Sequence, residues 1–134
     1  MTYETAAWIL LMLGLVVVLL TRLRLGRSES GAQTVGPGIL NLHTVNGLAA
    51  FAVSLVYQLA GHDRPVGALA VGLWIVEAVL GLMILLRWLP VHGRHATRLG
   101  SDGWTDGPWL SIVAHVGMAI GVGLLAWWFV AGLV

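Results

Sequence analysis

The sequence predicts an all-α membrane protein, an up-and-down bundle of four transmembrane helices that forms one domain over residues 1–134. Hydrophobic residues make up 58% of the chain and charged residues 10%, and the mean hydropathy is +0.89. Four apolar stretches approach or exceed the length of about 20 residues that a helix needs to cross a hydrocarbon core of about 30 Å. We therefore expect helices at about residues 6–23, 39–60, 66–89 and 109–132.

The arginines predict the orientation of the bundle, because the chain contains no lysine. Two arginine-rich segments follow the first and third predicted helices and carry Arg22, Arg24, Arg27, Arg87, Arg94 and Arg98. The connection between the second and third helices contains a single arginine, Arg64. The positive-inside rule then predicts that both arginine-rich segments lie in the cytoplasm and both termini outside it, in a cell inner (plasma) membrane.

The first two predicted helices differ in polarity. The first has almost no polar residue between Ala6 and Leu20, so we expect it to face lipid or a neighbouring subunit. The second has polar and small residues within roughly 60° of one line at about 100° per residue. These residues are His43, Asn46, Gly47, Ala50, Ser54, Tyr57 and Gln58. Because an unpartnered polar group is costly in hydrocarbon, this stripe should face protein, a cofactor or water.

The third and fourth predicted helices each carry ionisable residues within the apolar span. Glu77 lies near the middle of the third helix, and Ser111 and His115 lie one turn apart on the fourth. A carboxyl at this depth is expensive when charged, so two interpretations stay open for Glu77: a proton site, or a protonated side chain hydrogen-bonded to a neighbour.

The depths of the histidines point to a haem. Counting about 1.5 Å per residue from the arginine-rich end places His43 roughly 6–8 Å deep, His115 roughly 9–11 Å and Glu77 about 18 Å. The second and fourth helices of an up-and-down bundle are diagonal, so the two histidines should face each other across the core, as the axial ligands of a bis-histidine haem do. Gly47 and Ala119, each one turn further, would leave room for the macrocycle. The haem propionates would meet the charge partners Arg22, Arg24 and Arg87.

The segment Leu-His-Thr-Val-Asn-Gly, from Leu42 to Gly47, followed by a second intramembrane histidine at His115, resembles the four-helix membrane haem b proteins. One half of the haem A synthase bundle belongs to that group. The resemblance covers the second to fourth helices and rests on the H-x-x-x-G pattern. It implies a haem b. The first of three hypotheses for the function is then a haem b protein that passes electrons to or from a quinone or a partner subunit.

Other interpretations of the same residues remain open. The histidines, Asn46, Ser54 and Gln58 are types that form hydrogen bonds between helices, and Tyr57 suits an interfacial aromatic belt. The chain would then be an accessory subunit of a larger respiratory or photosynthetic type membrane complex. A third hypothesis is a small proton-coupled carrier, functioning as a dimer, in which Glu77 titrates. A single histidine would also hold another porphyrin-like pigment, such as a chlorophyll.

Several site types find no support in the sequence. Cysteine is absent, which excludes cysteine-ligated zinc and iron–sulfur clusters. We predict no catalytic residues and no nucleic-acid partner, because neither a nucleophile with its base nor an aromatic and basic surface can be assembled. The partners expected are lipid and other membrane subunits or a second copy. The loop after the third helix carries His92, His95, Asp102 and Asp106. Two interpretations stay open for this loop: a metal site, or a solvated segment.

Overall fold

The computed structural model of the chain describes residues 2–27, 35–92 and 108–134. It contains four helices in these ranges: α1 (Tyr3–Arg27), α2 (Pro37–Leu59), α3 (Arg64–His92) and α4 (Pro108–Val130). No strand occurs in the described residues. Each helix is long and apolar enough to cross a membrane. The prediction of an all-α protein with four potential transmembrane helices is therefore confirmed.

The helix ends differ from the predicted ones by up to four residues. Thr2 caps α1, where its Oγ1 accepts a hydrogen bond from the Thr5 backbone N–H at 3.2 Å, so this helix starts before the apolar stretch does. The last helix, α4, ends at Val130 rather than at residue 132, because Gly132 has a φ of 68°. The Leu133 N–H there donates to the Trp128 carbonyl at 2.9 Å, which closes the last turn.

A tight turn joins α2 to α3. Gly61 has a φ of 99°, a conformation that favours glycine, and the His62 N–H donates to the Tyr57 carbonyl at 3.1 Å. Asp63 then caps α3, since its carbonyl accepts from the Gly67 N–H at 2.9 Å. We call this end of the bundle the turn end, and the opposite end, where α2 and α4 begin, the loop end. Because this turn is short, it fixes the positions of the α3 residues along the bundle axis relative to those of α2.

Each helix packs against two others. Contacts join α1 to α2 and to α4, and join α3 to α2 and to α4. The helices α2 and α4 are therefore diagonal, as the sequence predicted. The first helix is less peripheral than its composition suggested, because Ala7, Leu11 and Val18 are buried against its neighbours while its outer side remains exposed.

The interior has three layers along the bundle axis. An apolar cluster towards the turn end contains Ala7, Leu11, Ala50, Trp74, Val122 and Leu125. A second apolar cluster towards the loop end contains Leu25, Val35, Leu40 and Ile84. The layer between them, which we call the polar layer, holds the buried side chains of His43, Glu77 and His115. Ionisable groups are thus enclosed on both sides by apolar packing.

Candidate functional site

The histidines of α2 and α4 meet in the polar layer. The ring centroids of His43 and His115 lie 6.4 Å apart, with their planes at 52°. His43 is 1% exposed and His115 7%. The expectation that the two histidines face each other across the core is met by this geometry. Their level positions follow from the helix starts, because His43 lies six residues after Pro37 and His115 seven after Pro108.

Each imidazole has an oxygen atom close to its Nδ1 atom. His115 Nδ1 lies 2.8 Å from the Ser111 carbonyl oxygen. A carbonyl only accepts, so this nitrogen carries the proton and His115 Nε2 is left with a lone pair. On α2, His43 Nδ1 lies 3.2 Å from Glu77 Oε1. This second contact does not have the geometry of a hydrogen bond, and neither His43 Nδ1 nor Glu77 Oε1 has another hydrogen-bond partner among the described residues.

The Nε2 atoms of both rings approach α3 at Gly81. A Cβ at position 81 would lie 3.7 Å from Nε2 of His43, 3.7 Å from Nε2 of His115 and 2.9 Å from Cδ2 of His115. Glycine is therefore the residue that lets α3 come this close to the ring of His115. His115 Nε2 is buried and has no hydrogen-bond partner among the described residues. The two histidines thus turn their Nε2 sides towards one small region of the core.

Glu77 lies level with His43, which corrects the depth of about 18 Å expected from the loop end. His43 is 16 residues before Leu59 and Glu77 is 13 residues after Arg64, about 24 and 20 Å from the turn end. The expectation was wrong because α3 has 29 residues and α2 has 23, so α3 projects further at the loop end. For α2 and α3, depths along the bundle are therefore comparable only when residues are counted from the tight turn that joins them.

Asn46 holds the carboxyl of Glu77 from α2. Its Nδ2 donates to Glu77 Oε2 at 2.9 Å and to the Leu73 carbonyl at 3.0 Å. Gly47 admits the same carboxyl, since a Cβ there would lie 2.7 Å from Glu77 Oε1 and 2.5 Å from Val18 Cγ2. Glu77 and Val18 therefore occupy the space that the sequence assigned to a macrocycle beside Gly47.

The remaining members of the predicted stripe lie towards the turn end. Ala50, Ser54 and Tyr57 are buried, and Gln58 is half-buried. Ser54 Oγ accepts from Trp74 Nε1 at 2.9 Å, an interhelical hydrogen bond of the kind predicted for this stripe. Tyr57 lines a cavity of about 380 Å³ at the turn end, together with His62, Arg64 and Phe129 among others. The four stripe residues lie 7 to 15 positions after His43 and take no part in the polar layer.

The arginines expected near the site lie at the loop end. Arg22 Nη1 donates to Asn41 Oδ1 at 2.6 Å, and Arg24 Nη1 donates to Ser111 Oγ at 2.9 Å. These two contacts bind α1 to α2 and α4 next to the histidines. Arg87 is exposed on α3. Ala119, one turn beyond His115, is half-buried.

The predicted loop metal site lies outside the described residues, since His95, Asp102, Asp106 and the side chain of His92 are not described. Within the described ranges, no group of three or more histidine, cysteine, aspartate or glutamate side chains is arranged to hold a metal ion.

Sequence reasoning missed two features of the site. Gly81 was not singled out, although it lies four residues after Glu77 and therefore on the same face of α3. The contact between Glu77 and His43 was hidden by the depth error. Comparison with protein-family models, with curated proteins and with solved structures finds no match.

Proposed function

We propose that this chain is a small integral membrane haem b protein, in which His43 and His115 are the axial ligands. It carries electrons to or from a quinone or a partner subunit. The observation that supports this most directly is the pair of buried imidazoles on diagonal helices, with ring centroids 6.4 Å apart. Their Nδ1 atoms lie close to the Ser111 carbonyl and to the Glu77 carboxyl, and their Nε2 atoms face the same region beside Gly81.

The separation of the rings suits one metal between them. A metal-bound imidazole nitrogen lies about 2 Å from the metal, which puts the ring centroid about 3.2 Å away. Two rings on opposite sides of one metal are then about 6.4 Å apart. With both Nδ1 atoms protonated, both Nε2 lone pairs would lie in an apolar interior without a donor, so an electron-pair acceptor between them would be favourable. Haem iron, when bound, supplies reversible one-electron transfer.

Gly81 limits the space for a macrocycle. Its Cβ position is equally far, 3.7 Å, from both Nε2 atoms, so it lies in the plane that bisects them. A porphyrin held by both Nε2 atoms would extend in this plane and would meet the Cβ position of residue 81. The two imidazoles would supply the donors for a haem, and the macrocycle would need α3 to lie further from them at Gly81 than it does in this structure.

Absorption spectra of the protein expressed with ample haem test this proposal. We expect low-spin Soret and α bands in the wild type and their loss in His43→Ala and in His115→Ala, with helix content unchanged. His62→Ala is the matched control, because His62 is exposed at the turn end, and it should keep the wild-type spectrum. A colourless wild type, or ligand variants that keep the bands, would overturn the proposal. Extraction of a chlorophyll-type pigment instead of haem would contradict the choice of cofactor.

A second candidate function is a proton-coupled carrier that uses Glu77. The buried carboxyl beside an imidazole supports it, because both groups are able to exchange a proton. Glu77→Gln should then abolish transport by the protein in vesicles while leaving assembly intact, since the amide keeps the shape but releases no proton. The accessory-subunit hypothesis predicts instead that a pulldown in mild detergent recovers other membrane subunits.

The orientation in the membrane is also a proposal. The arginine-rich segments favour both termini outside the cytoplasm, in a plasma membrane. A reporter that is active only in the cytoplasm, fused to the C-terminus, should give no signal. The same reporter inserted between α3 and α4 should be active. Strong activity at the C-terminus would overturn this topology.

A further inference from the structure

Glu77 is held against α2, with one carboxyl oxygen at Asn46 and the other beside His43. Asn46 donates to Oε2 at 2.9 Å and is itself anchored to the Leu73 carbonyl at 3.0 Å. Oε1 lies 3.2 Å from His43 Nδ1. Because Gly47 has no side chain, the carboxyl rests directly against α2, one turn from His43. Both the donor from Asn46 and the open surface at Gly47 therefore fix where Oε1 lies.

We propose that Glu77 is the positioning residue of His43. By accepting a hydrogen bond from Nδ1, it sets the tautomer of the imidazole so that Nε2 carries the lone pair and faces His115. The Ser111 carbonyl sets the tautomer of His115 in the same way, at 2.8 Å. The tautomer part of this inference stands without a cofactor, whereas its consequence for a bound haem rests on the proposed function.

The two histidines would then be unequal ligands. When Glu77 accepts as a carboxylate it is a stronger hydrogen-bond acceptor than a backbone carbonyl, so the imidazole of His43 then gains more basicity than that of His115. Removing such a partner from a metal-bound histidine elsewhere costs about 10–100-fold in metal affinity. We expect a loss in that range for haem when Glu77 is replaced by Leu.

The tautomers are measurable in the protein without any cofactor. The chain contains five histidines, so ¹⁵N-histidine labelling in detergent gives few signals, and the spectrum of His43→Ala assigns those of His43. We expect a protonated Nδ1 and an unprotonated Nε2 on His43. Glu77→Gln should retain this tautomer because its amide oxygen still accepts. Glu77→Leu should shift His43 towards the Nε2-protonated form.

Two results would overturn the positioning role. One is a wild-type His43 with its proton on Nε2, which would mean that a protonated Glu77 donates to Nδ1. The other is a Glu77→Leu variant whose His43 tautomer matches the wild type. Ser54→Ala is the control for a general loss of packing, since Ser54 is a buried polar residue of the same helix that contacts Trp74 rather than Glu77. It should leave the His43 signals unchanged.

Haem titration then separates this inference from the proposed function. If the wild type binds haem, Glu77→Leu should bind it about 10–100-fold more weakly, with a more positive midpoint potential and altered low-spin EPR signals. Glu77→Gln should have a haem affinity and a midpoint potential between those of the wild type and Glu77→Leu. Equal affinity, potential and EPR signals in Glu77→Leu and the wild type would refute the positioning role and leave the haem site standing. A wild type that binds no haem refutes the proposed function, and the tautomer measurement still decides the role of Glu77.

Discussion

The backbone of Gly81 lies directly against the imidazole of His115: a Cβ at position 81 would approach His115 Cδ2 to 2.9 Å. The same position is 3.7 Å from Nε2 of His43. One glycine of α3 therefore borders both candidate ligands. Any group held between the two Nε2 atoms meets α3 at this residue, so the size of the side chain here controls access to the site.

Gly81→Ala should impair haem binding. A Cβ at 2.9 Å from His115 Cδ2 forces the ring to shift, and it also fills the plane in which a macrocycle would lie. We expect at least a tenfold loss of haem affinity in a titration followed by the Soret band. The bundle should stay folded by circular dichroism, because alanine is the better helix former by about 1 kcal/mol.

Gly72→Ala is the matched control for this substitution. Gly72 lies on the same helix, and a Cβ there meets nothing within 4 Å. This variant should bind haem as the wild type does. Wild-type affinity in Gly81→Ala would mean that the cofactor does not lie beside α3 at this residue.

Gly47→Ala should destabilise the bundle. The added methyl would lie 2.5 Å from Val18 Cγ2 and 2.7 Å from Glu77 Oε1, so α1, α3 or both must move. Overpacking of this kind costs about 1–3 kcal/mol in folding free energy. We expect a lower thermal unfolding midpoint in detergent than for the wild type.

A second substitution tests how much of the clash at position 47 comes from Val18 and how much from Glu77. Val18→Ala in the Gly47→Ala background removes both γ-methyl groups of Val18, including the clashing Cγ2, and should restore part of the lost stability. Gly117→Ala is the control on α4, since a Cβ at Gly117 meets nothing within 4 Å. If Gly47→Ala unfolds at the wild-type temperature, Glu77 does not pack against α2 as described.

The fold was predictable because the bilayer demands little more than length and apolarity from each helix. The level pairing of His43 and His115 was also predictable. Both α2 and α4 start at the same end with a proline in their first turn, so counting from their starts compares like with like.

The contact partners of Glu77 were not predictable by the same count. The helix α3 extends through Pro90 to His92, so its end is no longer level with the start of α2. Gly81 gave no signal of its own because α3 is apolar on most of its surface, and a glycine there is equally typical of close packing between helices. A pair such as Glu77 and Gly81, four residues apart, becomes informative once the helix that faces it is known to carry a histidine.

The hydrogen bond between Ser54 and Trp74 should contribute measurably to the stability of the bundle. Ser54 Oγ donates to the Ala50 carbonyl at 2.8 Å and accepts from Trp74 Nε1 at 2.9 Å, with both side chains buried. Ser54→Ala leaves the indole N–H without a partner in an apolar cluster. Hydrogen bonds between transmembrane helices contribute about 0.6 kcal/mol on average and about 1.7 at most, so we expect a destabilisation in this range.

A double-mutant cycle isolates that contribution from the loss of packing. Trp74→Phe removes the donor and also part of the ring that covers Gly14, where a Cβ would lie 2.6 Å from the indole. The Ser54→Ala and Trp74→Phe double variant should therefore be more stable than the sum of the single changes predicts, by the energy of the hydrogen bond. Unfolding in mixed micelles, followed by circular dichroism, measures all four proteins. Strict additivity would show that the indole N–H draws no stability from Ser54, and that the polar face of α2 towards the turn end is held by packing alone.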